Sequence, residues 1–220
     1  MKSRLFYSNE YHRIERDIRT LLNCQPDFLS ARTASSTRAA GDAIQEILSD
    51  NFKDLLGSVC KEYSADFARR AMADLAFKDT DDIYYVVDVK THRKEEGFHM
   101  PNLTSVERLA RFYEDDNNCF VVLTVGYRIK NTKIVVENVH FIPVEFLSWK
   151  CLTIGALGWG QIQIATSEVI EVIPGYSRKK WMLELCDTLF EFYPREISKI
   201  NKRIERFKKV REFWETKRET

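Results

Sequence analysis

Long apolar runs are missing from this chain: nowhere does it approach the ~18 consecutive apolar residues that a membrane-spanning helix needs. Its start, Met-Lys-Ser-Arg-Leu-Phe-Tyr, turns polar at Ser8-Asn9-Glu10 and lacks the apolar stretch of a signal peptide. The reading is a soluble, cytoplasmic protein with no membrane partner. Glycine and proline are scarce, 8 and 5 in 220 residues, which excludes collagen-like and low-complexity classes. Five cysteines (Cys24, Cys60, Cys119, Cys151, Cys186) stand singly with no CxxC pair, so neither a disulfide framework nor a zinc site is indicated. Strong charge of either sign is also absent, since the formal net charge is +1. A uniformly basic coat of the kind many nucleic-acid binders wear is therefore excluded.

What is present is a composition that folds, with 44% hydrophobic and 30% charged residues over a length suited to one domain. The charge is also unevenly spread. Residues 61 to 120 carry 9 basic against 13 acidic side chains, whereas residues 175 to 220 carry 13 basic against 8 acidic. Helical spacing predicts amphipathic helices from Ser8 to Cys24 and from Thr37 to Leu56, joined by a Ser/Thr/Arg-rich loop. Residues 73 to 78 and 83 to 91 read as a hairpin about the turn Asp79-Thr80-Asp81-Asp82. A helix from Leu103 to Glu114 follows, and then strands over 119 to 127 and 133 to 141. A short strand, Gln161 to Ile164, closes a glycine-bearing stretch. Beyond Pro174 two helices are predicted, 177 to 193 and 195 to 218, divided at Pro194. The pattern is α/β, a mixed sheet flanked by helices with a helical C-terminal end. It is read as one domain, with residues 1–35, 36–142, 143–176 and 177–220 as its successive parts.

The chemistry concentrates in Tyr84-Tyr85-Val86-Val87-Asp88-Val89-Lys90. A strand has period two, so Asp88 and Lys90 share a face and close a stripe that is otherwise Tyr84 and Val86. Asp74, on the preceding strand, comes to the same end across the hairpin. Two carboxylates suit Mg²⁺, a hard ion that takes one or two protein carboxylates and completes its shell with water and phosphate; the Val89 carbonyl is a further candidate ligand. Lys90 is placed to orient a water and offset phosphate charge. The spacing alone is weak evidence, because chance yields ~2 acidic-x-Lys tripeptides in such a composition. Two occur, and the other, Glu215-Thr216-Lys217, falls in a charged helix with no strand.

In context, Asp74…Asp88-Val89-Lys90 resembles the metal and catalytic motif of the PD-(D/E)XK nucleases, with Ala73-Asp74-Leu75 in place of the usual Pro-Asp. Within that superfamily the chain is most similar to type II restriction endonucleases of the HincII and EcoRV group. Ala39-Ala40-Gly41-Asp42 resembles an Ala-Ala-Gly-Glu helix opening. Pro101-Asn102 with Ser105, Leu109 and Ala110 resembles the segment after the catalytic strand. Gln161-Ile162-Gln163, then Gly175-Tyr176-Ser177-Arg178 with Trp181, resembles the C-terminal part. The likeness spans roughly residues 30 to 210.

The resemblance implies a PD-(D/E)XK restriction-endonuclease-like core and Mg²⁺-dependent hydrolysis of double-stranded DNA at a short palindromic site, by a homodimer in restriction-modification defence. It assigns catalysis to Asp74, Asp88 and Lys90, with Asp42 standing where the family has Glu. It assigns DNA contact to Arg32, Thr33, Ser35, Ser36, Thr37 and Arg38, to Thr91 and Arg93, and to His99, Met100 and Asn102 on the minor-groove side. For the bases and later phosphates it points to Gly155, Trp159, Gln161, Gln163, Arg178 and Lys179. Arg178, Lys179 and Lys180 open a helix, where cations are unfavourable without an anion. No small-molecule substrate is expected. Rival readings are a repair or recombination nuclease of the same fold and a DNA-binding protein without catalysis.

Overall fold

A computed structural model describes residues 3–25, 36–63, 73–95, 100–165 and 170–218. Five α-helices and eight strands are described, besides three short 3-10 turns: α1 (Arg4–Tyr7), α2 (Glu10–Cys24), α3 (Thr37–Leu56), β1 (Cys60–Tyr63), β2 (Leu75–Asp79), β3 (Tyr84–Arg93), β4 (Asn102–Ser105), α4 (Val106–Phe112), β5 (Asn118–Lys130), β6 (Lys133–Pro143), β7 (Leu152–Gly155), β8 (Gln161–Ile164) and α5 (Arg178–Glu215). The larger sheet is mixed, in the order β1-β2-β3-β5-β6; β3 and β5 run parallel and the other pairs antiparallel. A parallel pair needs a crossover, and β4 and α4 lie within it. The smaller sheet has the order β4-β8-β7. Sequence alternation did not reveal β1, β4 or β7, which are only four residues each.

Helix α2 buries Ile14, Ile18 and Leu22, the stripe its spacing foretells. Helix α3 starts where Ser36 accepts a hydrogen bond from the Ala39 N–H at 3.2 Å, and stops at Gly57, whose φ of 59° suits a residue without Cβ. Its buried residues, Ala40, Ile44, Leu48, Phe52 and Leu56, mark one helical face. Rings join α3 to the larger sheet: Phe52 meets Phe77 at 6.1 Å and Phe141 at 5.8 Å, and Phe77 stacks on Tyr85 at 4.5 Å. Buried residues from both sheets belong to one apolar cluster.

Two expectations change. Helix α4 begins at Val106, because Leu103 and Thr104 are taken into β4 and Ser105 becomes the N-cap, accepting from the Arg108 N–H at 3.1 Å. The C-terminal segment is a single helix of 38 residues with Pro194 inside it. An interior proline removes one backbone hydrogen bond and costs about 3 kcal/mol, which the rest of so long a helix absorbs. Among the described residues no helix is long and apolar enough to cross a membrane.

Candidate active site

The site is positioned from the opposite end of the β2–β3 hairpin. There the buried Asp79 carboxylate accepts from the N–H groups of Asp81 and Ile83 at 3.0 and 2.9 Å, and from the Tyr85 hydroxyl at 2.6 Å. Asp82 completes the turn at φ 61°, a left-handed conformation that Asp tolerates. This turn fixes the register so that Leu75 pairs with Val87. Asp74, one residue before β2, is thereby delivered opposite Asp88.

Asp74 accepts hydrogen bonds from the Val89 backbone N–H at 2.6 Å and from the Gln45 side-chain amide of α3. Asp88 accepts from Lys90 Nζ at 2.8 Å through Oδ1. Its Oδ2 is buried with no hydrogen-bond partner among the described residues. Burial raises the Asp88 carboxyl to about 7, and repulsion from Asp74 adds to the rise; Lys90 and Arg108 of α4 pull it back. The alternation expected for β3 holds. A Cβ on Gly41 of α3 would lie 2.7 Å from Thr91 Oγ1, which sets α3 on the Val89–Thr91 face, while Asp88 answers to Arg108 from the α4 side.

The arrangement fits a hard cation. Its donors are oxygens, one of them buried and unsatisfied, and a lysine ammonium sits beside them. No group of three or more His, Cys, Asp or Glu converges among the described residues. A metal held here would rely on Asp74, Asp88 and the Val89 carbonyl, with water and substrate phosphate for the rest.

Asp42 is not drawn into this cluster. Its side chain is 72% exposed and stands 3.9 Å from Arg38, itself 92% exposed. The α3 residue that reaches the carboxylates is Gln45, one turn beyond Gly41, and sequence reading missed it. It also missed Arg108. The i+4 step from Gly41 and the first-turn place of Arg108 after its Ser105 cap were the available signals.

The expected DNA contacts are scattered over several elements. Arg32, Thr33, Ser35 and His99 lie outside the described residues. Ser36 is the α3 cap, Thr37 opens that helix, and Arg38 faces solvent. Thr91 packs over Gly41, and Arg93 approaches Glu95 at 3.4 Å. Met100 and Trp159 are exposed. Gln163 donates to Asn102 Oδ1 at 2.5 Å across the β4–β8 pair, and Gln161 lies opposite Gly155 in β7. Gly155 has a local reason: a Cβ there would lie 2.6 Å from Gln163 Oε1, so the missing side chain makes room for Gln163.

Arg178 is turned inward. Its guanidinium is 3.0 Å from Glu145 Oε1 and lies over the Tyr113 ring at 4.2 Å, while Tyr113 donates to Glu145 Oε2 at 2.8 Å. Within the chain, Glu145 supplies an anion for the first cation of this helix start, Arg178. Lys179 is exposed. No protein-family model matches the chain, and no curated protein matches it significantly.

Proposed function

We propose that the protein is a Mg²⁺-dependent type II restriction endonuclease of the PD-(D/E)XK kind, acting as a homodimer on double-stranded DNA. One observation carries the reading: Asp74 and Asp88 meet across a hairpin of a mixed sheet, Lys90 is hydrogen-bonded to Asp88, and the second Asp88 oxygen is buried with no hydrogen-bond partner among the described residues. An apolar strand retains such a costly arrangement when something polar is to be bound.

Asp74, Asp88 and the Val89 carbonyl would hold Mg²⁺, which supplies Lewis acidity and positive charge at the scissile phosphate. The chain's own groups do the positioning. The Val89 N–H and Gln45 hold Asp74 from two sides and keep its carboxylate aimed along the hairpin end. Lys90 neutralises part of the carboxylate charge and presents its ammonium to a water attacking phosphorus in line with the leaving oxygen. Arg108 adds positive potential from α4. Asn102, Gln161 and Gln163 gather polar side chains on the smaller sheet, where β4–β8 pairing brings them together and base edges can be read.

The test is Asp88→Ala. The variant is expected to bind the wild-type cleavage site in Ca²⁺ with unchanged specificity and to lose all cleavage in Mg²⁺. Retained cleavage would remove Asp88 from the metal site. Binding without any cleavage by the wild type would identify a silent DNA-binding protein instead.

A further inference from the structure

Helix α5 extends beyond the apolar face that attaches it. Trp181 and Leu185 are buried against the body at 0 and 2% exposure. Another stripe, Phe190, Tyr193, Ile197, Ile200, Ile204 and Phe207, stays 37 to 73% exposed. Its spacing alternates between three and four residues without a break, which is the a/d seam of a heptad repeat. With Ile197 at a and Ile200 at d, Trp181 and Leu185 fall at f and c, the side turned away from the seam. The helix is therefore attached chiefly by that face and presents the seam outward, with one tie between seam and body: the Tyr193 hydroxyl donates to the Trp159 carbonyl at 2.7 Å.

We propose that this seam pairs with the same seam of a second copy of the chain, the two α5 helices running antiparallel. Charge selects both the partner and the direction. Setting Ile197 against the partner's Ile200 also sets Tyr193 against the partner's Ile204, and Phe190 against the partner's Phe207. Every layer from Phe190 to Phe207 is then apolar. The same register carries Leu183, 55% exposed, to the partner's Trp214, 65% exposed. On the flanks it brings Glu196 to the partner's Arg203, and Asp187 to the partner's Lys208, each twice by symmetry. Glu196 already accepts from Lys199 at 2.6 Å within its helix, so the partner's arginine extends an existing ion pair.

The competing arrangements fail on charge. In a parallel pair Arg203 meets the partner's Lys208 on both flanks, and Arg211 faces its own copy at an a position. An antiparallel pair shifted by one heptad puts Arg203 against Arg203. The inference rests on α5 alone and does not need the nuclease reading.

Sedimentation equilibrium of the full chain, without DNA or metal, tests it. The wild type is expected to be a dimer at micromolar concentration. Ile200→Lys combined with Ile204→Lys should give a monomer whose near-ultraviolet circular dichroism is unchanged. Arg203→Glu separates the directions, because it places Glu against the partner's Glu196 in the antiparallel pair but relieves repulsion by Lys208 in a parallel one. Antiparallel pairing predicts that Arg203→Glu weakens the dimer roughly tenfold and that adding Glu196→Arg restores it. The lone Arg203→Glu places its new carboxylate near Lys199 and Arg206 on the same helix, so loss of the dimer does not reflect loss of the helix. A monomeric wild type, a dimer that survives the paired lysines, or a tighter dimer with Arg203→Glu would overturn the proposal.

Discussion

Asp88 illustrates how much one side chain is asked to bear. Its carboxyl is raised to about 7 chiefly by burial, so the charged form is disfavoured in the folded protein relative to the unfolded chain. For an acid shifted upward, stability is fullest below the unfolded value near 4 and is lost as pH rises towards the folded one. Asp88→Asn is therefore expected to stabilise the metal-free protein at pH 8 by roughly 1–3 kcal/mol and to have little effect at pH 4, as read by thermal melting at both. Equal effects at the two pH values would mean that ionisation is not the cause. Gln45 acts through Asp74, and Gln45→Ala should raise the Mg²⁺ concentration for half-maximal cleavage by roughly tenfold with little change in melting temperature. The pairing of Asp88 with Lys90 was legible because both lie on one strand and period two decides which residues share a face. Gln45 was not legible, since its role depends on how α3 crosses β3, and Asp42 was the more conspicuous acid nearby.

At the scale of elements, the start of α5 is held by Ser177, which caps it by accepting from the Lys180 N–H, and by the pairing of half-buried Arg178 with buried Glu145. Removing one member leaves a buried charge uncompensated, so Arg178→Ala is expected to cost about 3–5 kcal/mol, measured by urea denaturation. An effect on DNA binding with stability intact would instead mean that Arg178 faces the nucleic acid. Periodicity located α2, α3 and the two long hairpins because their apolar residues recur over many positions. Among the four-residue strands β8 was legible because Gln-Ile-Gln-Ile alternates strictly, whereas Cys60-Lys-Glu-Tyr and Asn102-Leu-Thr-Ser do not alternate and Leu152-Thr-Ile-Gly opens a glycine-bearing apolar stretch, so β1, β4 and β7 went unseen. Pro194 misled for a related reason: proline is read locally as a stop, while the cost of one missing hydrogen bond is spread over a helix of 38 residues.

For the molecule as a whole, the near-zero net charge conceals an acidic middle that holds Asp74 and Asp88 and a basic end that is largely α5. An acidic site repels DNA until a divalent cation is present, so nonspecific affinity should be modest and should fall with salt. The mixed α/β class was legible from the order of elements, whereas the division into two sheets was not, because it depends on β4 and β7. The central claim is sequence-specific, Mg²⁺-dependent cleavage of duplex DNA. Purified protein incubated with phage DNA and run on a gel tests it most directly: discrete, reproducible fragments with Mg²⁺ and none with chelator are predicted. A smear, cutting confined to branched DNA, or uncut DNA in Mg²⁺ would contradict it.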